Sequence, residues 1–252
     1  MHLKTHAIVL AQTPFGSRDK LLTLLSSDQG LMTAVVKNPG SGKSRMSAAC
    51  EMLAYSEFCL FSGRTRYIID SAELLNNFYS LRNSLTGLSL AAYLAELTKF
   101  VMPQKENADE ILRLLLNTLY LLEKGEKSEQ LLKAVYELRL MCLSGFQPDV
   151  DGCAGCGKQQ GDFWLLPGDG IILCQDCLPE YQKLQERAVS RVIFPQAVRK
   201  AFLHVIDAPP QKLFSFRLSD DGEKAFGQAA EAFTIFQTGG KFKTLDFYRA
   251  ML

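Results

Sequence analysis

Short apolar runs separated by turn residues occupy the first part of the chain. The runs cover residues 7–13, 20–27, 31–37, 52–61 and 66–75, and the residues between them are rich in Gly, Pro, Asp and Ser. Each run has the length of a strand, and no helical period separates one run from the next. Five such strands within about 75 residues favour a small antiparallel β-barrel of the OB-fold type.

After Asn76 the apolar residues follow a helical period. Asn107 with Glu110 three residues later resembles a capping box at a helix start. Gly125 and Gly145 stand where helices are expected to end. Because apolar steps of three and four residues place side chains on one helix face, the period predicts helices that face a core. The stripes are Leu90, Leu94, Leu97 and Val101; Leu112, Leu115, Leu119 and Leu122; and Leu131, Val135, Leu138 and Cys142, with further helical patterns at 196–206, 221–237 and 244–252.

These patterns predict an α+β multidomain protein. An OB-fold barrel is expected over residues 1–78, followed by an all-helical domain over residues 79–252. A four-cysteine zinc module is expected to be inserted into the helical domain at about residues 150–180.

The module is predicted from cysteine spacing alone. Cys153 and Cys156 form one C-x-x-C pair, Cys174 and Cys177 form another, and 17 residues separate the pairs. This spacing is typical of a closed tetrahedral Zn²⁺ site, which stabilises structure and leaves no open position for catalysis. The competing interpretation, a redox dithiol, requires a C-x-x-C pair at a helix start in a βαβ unit, and no such context is evident. The remaining cysteines, Cys50, Cys59 and Cys142, are expected to be small buried hydrophobic residues.

Composition and charge narrow the class of protein. The chain has 252 residues, 47% of them hydrophobic, and a net charge of +1. No apolar run is long enough for a membrane span and no secretory signal is evident, so a cytoplasmic protein is expected. Residues 1–66 carry eight basic and four acidic side chains, whereas residues 81–150 carry eight basic and nine acidic ones. A polyanion is therefore expected to prefer the N-terminal module.

An ATPase motif is imitated by the segment that ends at Gly42, Lys43 and Ser44. A phosphate-binding loop requires a glycine five residues before Gly42, and Lys37 occupies that position. The strand–helix alternation of a nucleotide-binding sheet is also missing from the pattern, although residues 67–70 imitate a magnesium-holding strand. No catalytic motif is found elsewhere, and His204 is interpreted as a core histidine. The sequence predicts that the protein is not an enzyme, with a P-loop ATPase as an unlikely alternative.

Several segments together resemble the RecO family of bacterial recombination mediators. They are THAIVL, GSRDKLLTLLSSDQGLMTAVVK, SAELLNNFYSLR and YELRLMCLSGFQPDVDGCAGCG, along with the basic glycine-containing loop at Ser44 and Arg45. The resemblance implies an OB-fold, a helical domain and a zinc module. It also implies binding of ssDNA and dsDNA without sequence preference, strand annealing, and contacts with RecR and with the C-terminal tail of single-strand-binding protein, which together load RecA in gap repair. A cytoplasmic, nucleoid-associated protein is expected.

The resemblance implies a DNA-binding patch on the barrel. Its residues are Lys37, Lys43 and Arg45, with Arg18, Arg64 and Arg66 as weaker candidates, and the alternative for this cluster is a solvated surface loop. Phe15 or Tyr67 is a candidate for base stacking, with core packing favoured for both.

A second predicted surface lies on the helical domain. Lys133 and Arg139 are expected to face the tail of single-strand-binding protein, with a solvated helix surface as the alternative. A rival from another class is a zinc-ribbon module that itself binds a partner protein or nucleic acid, without annealing activity.

Overall fold

The computed structural model describes residues 2–39, 45–63, 66–102, 107–185 and 189–252. These residues divide into two units. One contains Met1–Lys124 together with Phe242–Leu252, and the other contains Gly125–Lys241. Within the described part of the chain, no helix has the length and apolar character that crossing a bilayer requires.

The first unit begins with a closed five-stranded barrel. Its strands are β1 (His2–Phe15), β2 (Asp19–Ser26), β3 (Gly30–Val36), β4 (Tyr55–Ser62) and β5 (Tyr67–Asn76). They are hydrogen-bonded in the order β1-β2-β3-β5-β4, and the long strand β1 pairs with both β2 and β4. β3 and β5 run parallel, and the other neighbours run antiparallel. This is the predicted OB-fold, with all five strands where the apolar runs indicated.

Alternate side chains of the strands fill the barrel. Leu22 and Leu24 of β2 and Phe58 and Leu60 of β4 are buried in one core, at the spacing of two that a strand imposes. A short helix, α1 (Arg45–Ala49), lies between β3 and β4 in the chain, and Cys50 directly after it joins the same core. Burial raises the pKa of the Cys50 thiol to about 11. The expectation that Cys50 is a small buried hydrophobic residue is therefore confirmed.

Helices complete the first unit. A 3-10 helix (Tyr79–Asn83) leads into α2 (Leu85–Val101), and α3 (Asp109–Lys124) and α8 (Lys243–Arg249) belong to the same unit. The Ser84 hydroxyl accepts a hydrogen bond from the Gly87 amide at 3.0 Å and caps α2. The Asn107 side chain accepts one from the Asp109 amide at 3.1 Å, where the sequence predicted a helix start.

The second unit combines helices with a sheet. Its helices are α4 (Glu129–Leu143), α5 (Leu178–Leu184), α6 (Gln196–Asp207) and α7 (Asp220–Thr238), with a 3-10 turn at Pro210–Lys212. α4 packs on α6 and α7. Gly125 and Gly145 have φ of +66° and +87°, the left-handed conformation in which glycine ends a helix. Cys142 on α4 is only partly buried, and Cys59 on β4 is likewise intermediate.

A four-stranded sheet is present within the cysteine-rich segment. Its strands are β6 (Asp149–Cys153), β7 (Phe163–Leu166), β8 (Ile171–Cys174) and β9 (Val192–Phe194), in the order β6-β8-β7-β9. One side of the sheet packs on the helices through edge-to-face aromatic contacts. The ring centres of Phe194 and Phe202 are 4.8 Å apart, and those of Phe202 and Phe226 are 5.3 Å apart. The sequence predicted a helical domain and a four-cysteine module in this region, but it did not predict this sheet.

The units do not follow the predicted domain limits. Helices α2, α3 and α8 belong to the same compact unit as the barrel. A boundary between residues 78 and 79 therefore stays a prediction about which parts fold independently.

Candidate metal centre and nucleic-acid interface

Two neighbouring strands bring the cysteine pairs together. β6 ends at Cys153 and β8 ends at Cys174, and the two strands run parallel. Because parallel strands place their carboxyl ends at the same edge of a sheet, the two C-x-x-C turns meet there. The sulfur atoms of Cys153, Cys156, Cys174 and Cys177 all lie within 4.8 Å of one another.

The backbone of the first turn is shaped for this cluster. A Cβ at Gly155 would lie 2.9 Å from both Cβ and Sγ of Cys177, so that only glycine fits. Gly157 has a φ of +74°, a left-handed backbone conformation that glycine adopts without steric cost. The Cys174 amide donates a hydrogen bond to Cys153 Sγ at 3.2 Å. Amide donors of this kind stabilise a thiolate.

The thiols differ in their tendency to ionise. Burial raises the pKa of Cys153, but the amides of Cys174, Cys156 and Gly155 outweigh burial and lower it to about 6. Hydrogen bonds with the thiols of Cys174 and Cys156 raise the pKa of Cys177 well above its usual range. Four neighbouring sulfurs therefore cannot all ionise unless a cation joins them.

The arrangement fits a tetrahedral metal ion. A metal–sulfur distance of about 2.3 Å places the sulfurs of a tetrahedron about 3.8 Å apart. Cys156 Sγ and Cys174 Sγ are 3.8 Å apart. The four cysteines are thus positioned to bind a metal ion, with every coordination position taken by protein.

Arg199 supports the first turn from α6. Its guanidinium donates to the carbonyl of Val150 at 2.8 Å, to that of Gln159 at 2.9 Å, and to that of Asp151. The side chain is buried and its guanidinium lies 5.9 Å from the centre of the Phe163 ring. The sequence pattern does not single out Arg199, which appears there only as a basic residue beside the apolar positions of α6.

The structure describes four of the predicted basic residues of the barrel, and all four are exposed. Three of them lie at one end of the barrel, and Arg45 lies at the start of α1. Arg18 lies between β1 and β2, Arg66 lies just before β5, and Lys37 directly follows β3. The register places Phe15 opposite Asp19 and Lys20 opposite Val36, and it places Tyr67 opposite both Ala34 and Ser62. These pairs place the end of β1, the start of β2, the end of β3, the end of β4 and the start of β5 together. We call the exposed group Arg18, Lys37 and Arg66, with Phe15, the barrel end.

Phe15 belongs to this surface. Its side chain is 39% exposed, and the Arg66 guanidinium lies 5.2 Å from the centre of its ring. The expectation of core packing is therefore wrong for Phe15, because β1 extends beyond the barrel core at this residue. Tyr67 is partly buried and packs against the barrel core, as expected.

The loop after β3 is described only in part. The Asn38 amide donates to the Asp19 carboxylate at 3.0 Å, and Asn38 has a φ of +39°. Arg45 is exposed at the start of α1. Lys43 and Arg64 lie outside the described residues, and so do Gly42 and Ser44 of the ATPase-like segment.

The imitation of a nucleotide-binding strand lies in the barrel. Asp70 is exposed on β5, whose neighbours are β3 and β4 of the closed barrel. A P-loop enzyme requires a parallel sheet whose strands are followed by helices. The surroundings of β5 thus differ from those of a nucleotide-binding strand.

Lys133 and Arg139 are engaged within the second unit. Lys133 is 5% exposed, and its ammonium lies 2.8 Å from a Glu137 oxygen and 2.7 Å from a Glu231 oxygen. Arg139 donates to the carbonyls of Val205 and Ile206, at 3.0 and 2.6 Å. A solvated helix surface is therefore wrong for Lys133. Binding of a partner through these two residues stays a prediction.

Comparison with known proteins agrees with the resemblance noted in the sequence. The family model described as "Recombination protein O N terminal" matches residues 1–78, and "Recombination protein O C terminal" matches residues 82–246. A DNA repair protein RecO of Acetivibrio thermocellus is 29% identical over 252 residues, which cover 99% of this chain and 97% of the relative. A DNA repair protein RecO of Alkaliphilus metalliredigens is 32% identical over 178 residues, covering 70% and 72%. One of Dehalococcoides mccartyi is 34% identical over 176 residues, covering 69% of each.

Proposed function

Since the chain belongs to the RecO family of DNA repair proteins, we propose that it is a recombination mediator that binds single- and double-stranded DNA without sequence preference. It anneals complementary strands, and it acts with RecR and single-strand-binding protein to load RecA in gap repair. The proposed mechanism begins at the barrel end, because that surface joins cations to an exposed aromatic ring.

The observation that carries this proposal is the contact between Phe15 and Arg66. OB-folds bind oligonucleotides at the loops between their first and second and between their fourth and fifth strands. Phe15 and Arg18 border the first of these loops, and Arg66 lies in the second. The 5.2 Å contact between the Arg66 guanidinium and the Phe15 ring joins the two loops into one surface. An exposed ring beside cations suits a base and its phosphate.

Annealing follows from contacts that ignore sequence. Arginine and lysine side chains neutralise phosphates and release counterions, and this interaction is the same for every sequence. Two strands held on such a surface repel each other less, while their bases stay free to pair. Lys37 and Arg45 are proposed to add to the surface, together with Lys43 and Arg64.

We propose that the ion held by the four cysteines is Zn²⁺. Cys153, Cys156, Cys174 and Cys177 supply four sulfur ligands, the set that zinc prefers in closed sites. When bound, zinc would cross-link the two C-x-x-C turns. The amides around Cys153 and the guanidinium of Arg199 hold the turns in place for it. The site is structural, and the protein is proposed to have no enzymatic activity.

The remaining assignments are proposals that rest on the family. They include a cytoplasmic, nucleoid-associated location, division into domains at residues 78 and 79, and a groove on the helices for the tail of single-strand-binding protein. RecA is an indirect partner in this scheme.

A second candidate function is a zinc-ribbon module that binds a partner protein. Trp164 on β7 donates from its indole to Gln175 at 3.2 Å, and the Arg191 guanidinium lies 4.8 Å from the centre of its ring. Ile193, opposite Trp164 in the sheet, is exposed. Tryptophan and arginine are frequent anchors of protein interfaces. This candidate predicts a stable protein that binds a partner through β7 and β9 and has no affinity for DNA.

The test is fluorescence anisotropy with an unrelated pair of labelled oligonucleotides, each as single strand and as duplex, at two salt concentrations. Zinc content is measured by elemental analysis of the same preparation. We expect binding to all four probes that weakens steeply with salt. A zinc-replete protein that binds neither form in dilute buffer contradicts the proposal and leaves the zinc-ribbon candidate.

A further inference from the structure

Two exposed tyrosines of the first unit lie on segments that contact each other, beyond the end of β5 that is far from the barrel end. Tyr79 begins the 3-10 helix after β5, and Tyr120 lies near the end of α3. Their side chains are 65% and 50% exposed, and Tyr79 is the most exposed aromatic residue in the described part of the chain. Rings exposed to this extent on adjoining segments leave their faces accessible to a ligand.

The backbone holds Tyr79 outward. Phe78 is buried and has a φ of +45°, a conformation that costs energy for a residue with a bulky side chain. The Asn76 side chain accepts a hydrogen bond from the Phe78 amide at 3.0 Å. Burial of Phe78 and this bond therefore offset the strain, and the turn directs the next residue into solvent.

One hydrogen bond connects the segments that carry the two rings. The Ser80 amide donates to a Glu123 oxygen at 3.0 Å. Tyr79 directly precedes Ser80, and Tyr120 lies one helical turn before Glu123. The two tyrosines are thus carried by adjoining segments, and the Glu123 carboxylate has its partner where these segments meet.

Each ring has a cation beside it. The Arg82 guanidinium lies 5.8 Å from the centre of the Tyr79 ring, and the Lys124 ammonium lies 5.4 Å from that of Tyr120. Arg82 also donates to the Asn77 carbonyl at 3.0 Å, which fixes its position. A ring face offers stacking to any base, and a neighbouring cation offers charge to the phosphate of the same nucleotide.

We propose that Tyr79, Arg82, Tyr120 and Lys124, the tyrosine surface, form a second binding site for single-stranded nucleic acid. Stacking requires unpaired bases, so the site selects single strands over duplexes. This inference rests on the proposed function and adds to it a surface that discriminates between the two forms of DNA. β5 begins at the barrel end and has 10 residues before it reaches Asn76. At about 3.3 Å per residue, a straight strand of this length spans roughly 30 Å, which is an upper bound for the separation along β5 of the barrel end and the tyrosine surface.

The experiment compares wild type with a double variant that carries both Tyr79→Ala and Tyr120→Ala. Affinity for labelled oligothymidine, which forms no hairpins, is measured by anisotropy and is expected to fall roughly tenfold for each ring. Affinity for a duplex is expected to stay unchanged. The salt slope of single-strand binding is also expected to stay unchanged, because every cation that neutralises a phosphate is still present.

Two controls separate stacking from folding. Tyr79→Phe with Tyr120→Phe keeps both rings and is expected to bind single strands like wild type. Phe247→Ala on α8 removes a ring that is 50% exposed, as Tyr120 is, and is expected to change nothing. Photocrosslinking to an iodouracil-containing strand is expected to label the peptides that contain Tyr79 and Tyr120.

The outcomes are distinguishable from those of the proposed function. If wild type binds single strands and the alanine variant binds them equally well, the tyrosine surface is overturned while DNA binding at the barrel end stands. Equal losses for single strands and duplexes also overturn it, because stacking on unpaired bases predicts selectivity. Loss of binding to a protein partner, with unchanged DNA affinity, overturns it in favour of a protein interface.

Discussion

The cysteine cluster and the barrel end are built in opposite ways. In the cluster, four potentially negative sulfurs converge within 4.8 Å. At the barrel end, positive side chains are exposed on separate loops. Four thiolates can share this space only when a cation neutralises them, so we expect metal binding and folding to be coupled. Dispersed charges in water cost little without a ligand. Substitutions in the cluster are therefore expected to affect stability, whereas substitutions at the barrel end affect binding.

The largest expected effect comes from Cys174→Ser. Removal of one sulfur opens the site, so zinc is expected to be lost and the free energy of unfolding to fall by roughly 4 kcal/mol or more. Denaturant titration and elemental analysis measure the two quantities. Cys142→Ser, which alters a partly buried cysteine outside the cluster, is the matched control and is expected to keep zinc. A Cys174→Ser protein with wild-type stability would contradict the coupling of metal and fold.

A somewhat smaller effect is expected from Arg199→Met. The change leaves the carbonyls of Val150, Asp151 and Gln159 without their buried donor, at a cost of about 3 kcal/mol in unfolding free energy. Zinc is expected to be released at a lower chelator concentration, measured with a colorimetric zinc indicator. Lys200→Met, an exposed position next in the chain, controls for loss of charge on α6. Equal stability of the two variants would remove Arg199 as a support of the cluster.

A double variant that carries Arg18→Ala and Arg66→Ala tests whether the barrel end binds DNA. We expect weaker binding to single strands and duplexes of any sequence, and a salt slope for duplex DNA that is shallower by about 0.9 for each phosphate that is no longer neutralised. The unfolding free energy is expected to stay near wild type, since both side chains are exposed. Lys200→Ala with Lys224→Ala removes the same charge from exposed positions on α6 and α7. If this control lowers DNA affinity as much, the barrel end has no special role.

The smallest expected effect concerns the turn between β2 and β3, where stability of the barrel can be measured apart from DNA binding. Burial raises the pKa of Asp28, but hydrogen bonds from Ser26, Gln29 and Thr5 outweigh it and lower the pKa to about 2. A depressed pKa means stability that is present above the usual value near 3.8 and is lost as pH falls through 2. Asp28→Asn is expected to reduce this acid dependence in thermal melts between pH 4 and 2. DNA affinity at neutral pH should not change, and a loss there would link the turn to binding.

Local patterns predicted most of the fold. The five strands and the long helices follow from apolar periods that each element must satisfy to bury one face. The sheet of the second unit was missed because its strands are short, from three to five residues, and lie among cysteines and glycines. Short runs of this kind carry too little periodic signal.

The candidate sites were predictable to different degrees. The four cysteines are evident from spacing, since two C-x-x-C turns suffice to specify the ligands. Phe15 was misjudged because an apolar residue in a strand is usually buried, and only the paired strands show that it lies beyond the core. Lys133 was misjudged in the other direction, because its carboxylate partners Glu137 and Glu231 meet it only after α4 and α7 pack.

The order of the barrel strands and of the long helices, the four clustered cysteines and the family could be read from the chain alone, because each depends on a local pattern of residues. Which side chains share a surface depended on tertiary structure. The contact of Phe15 with Arg66, the carbonyls bound by Arg199, and the hydrogen bond from Ser80 to Glu123 each unite residues that are distant in sequence. Strand closure and helix packing create these neighbours, and no local pattern encodes the distance between two side chains that meet only when the chain has folded.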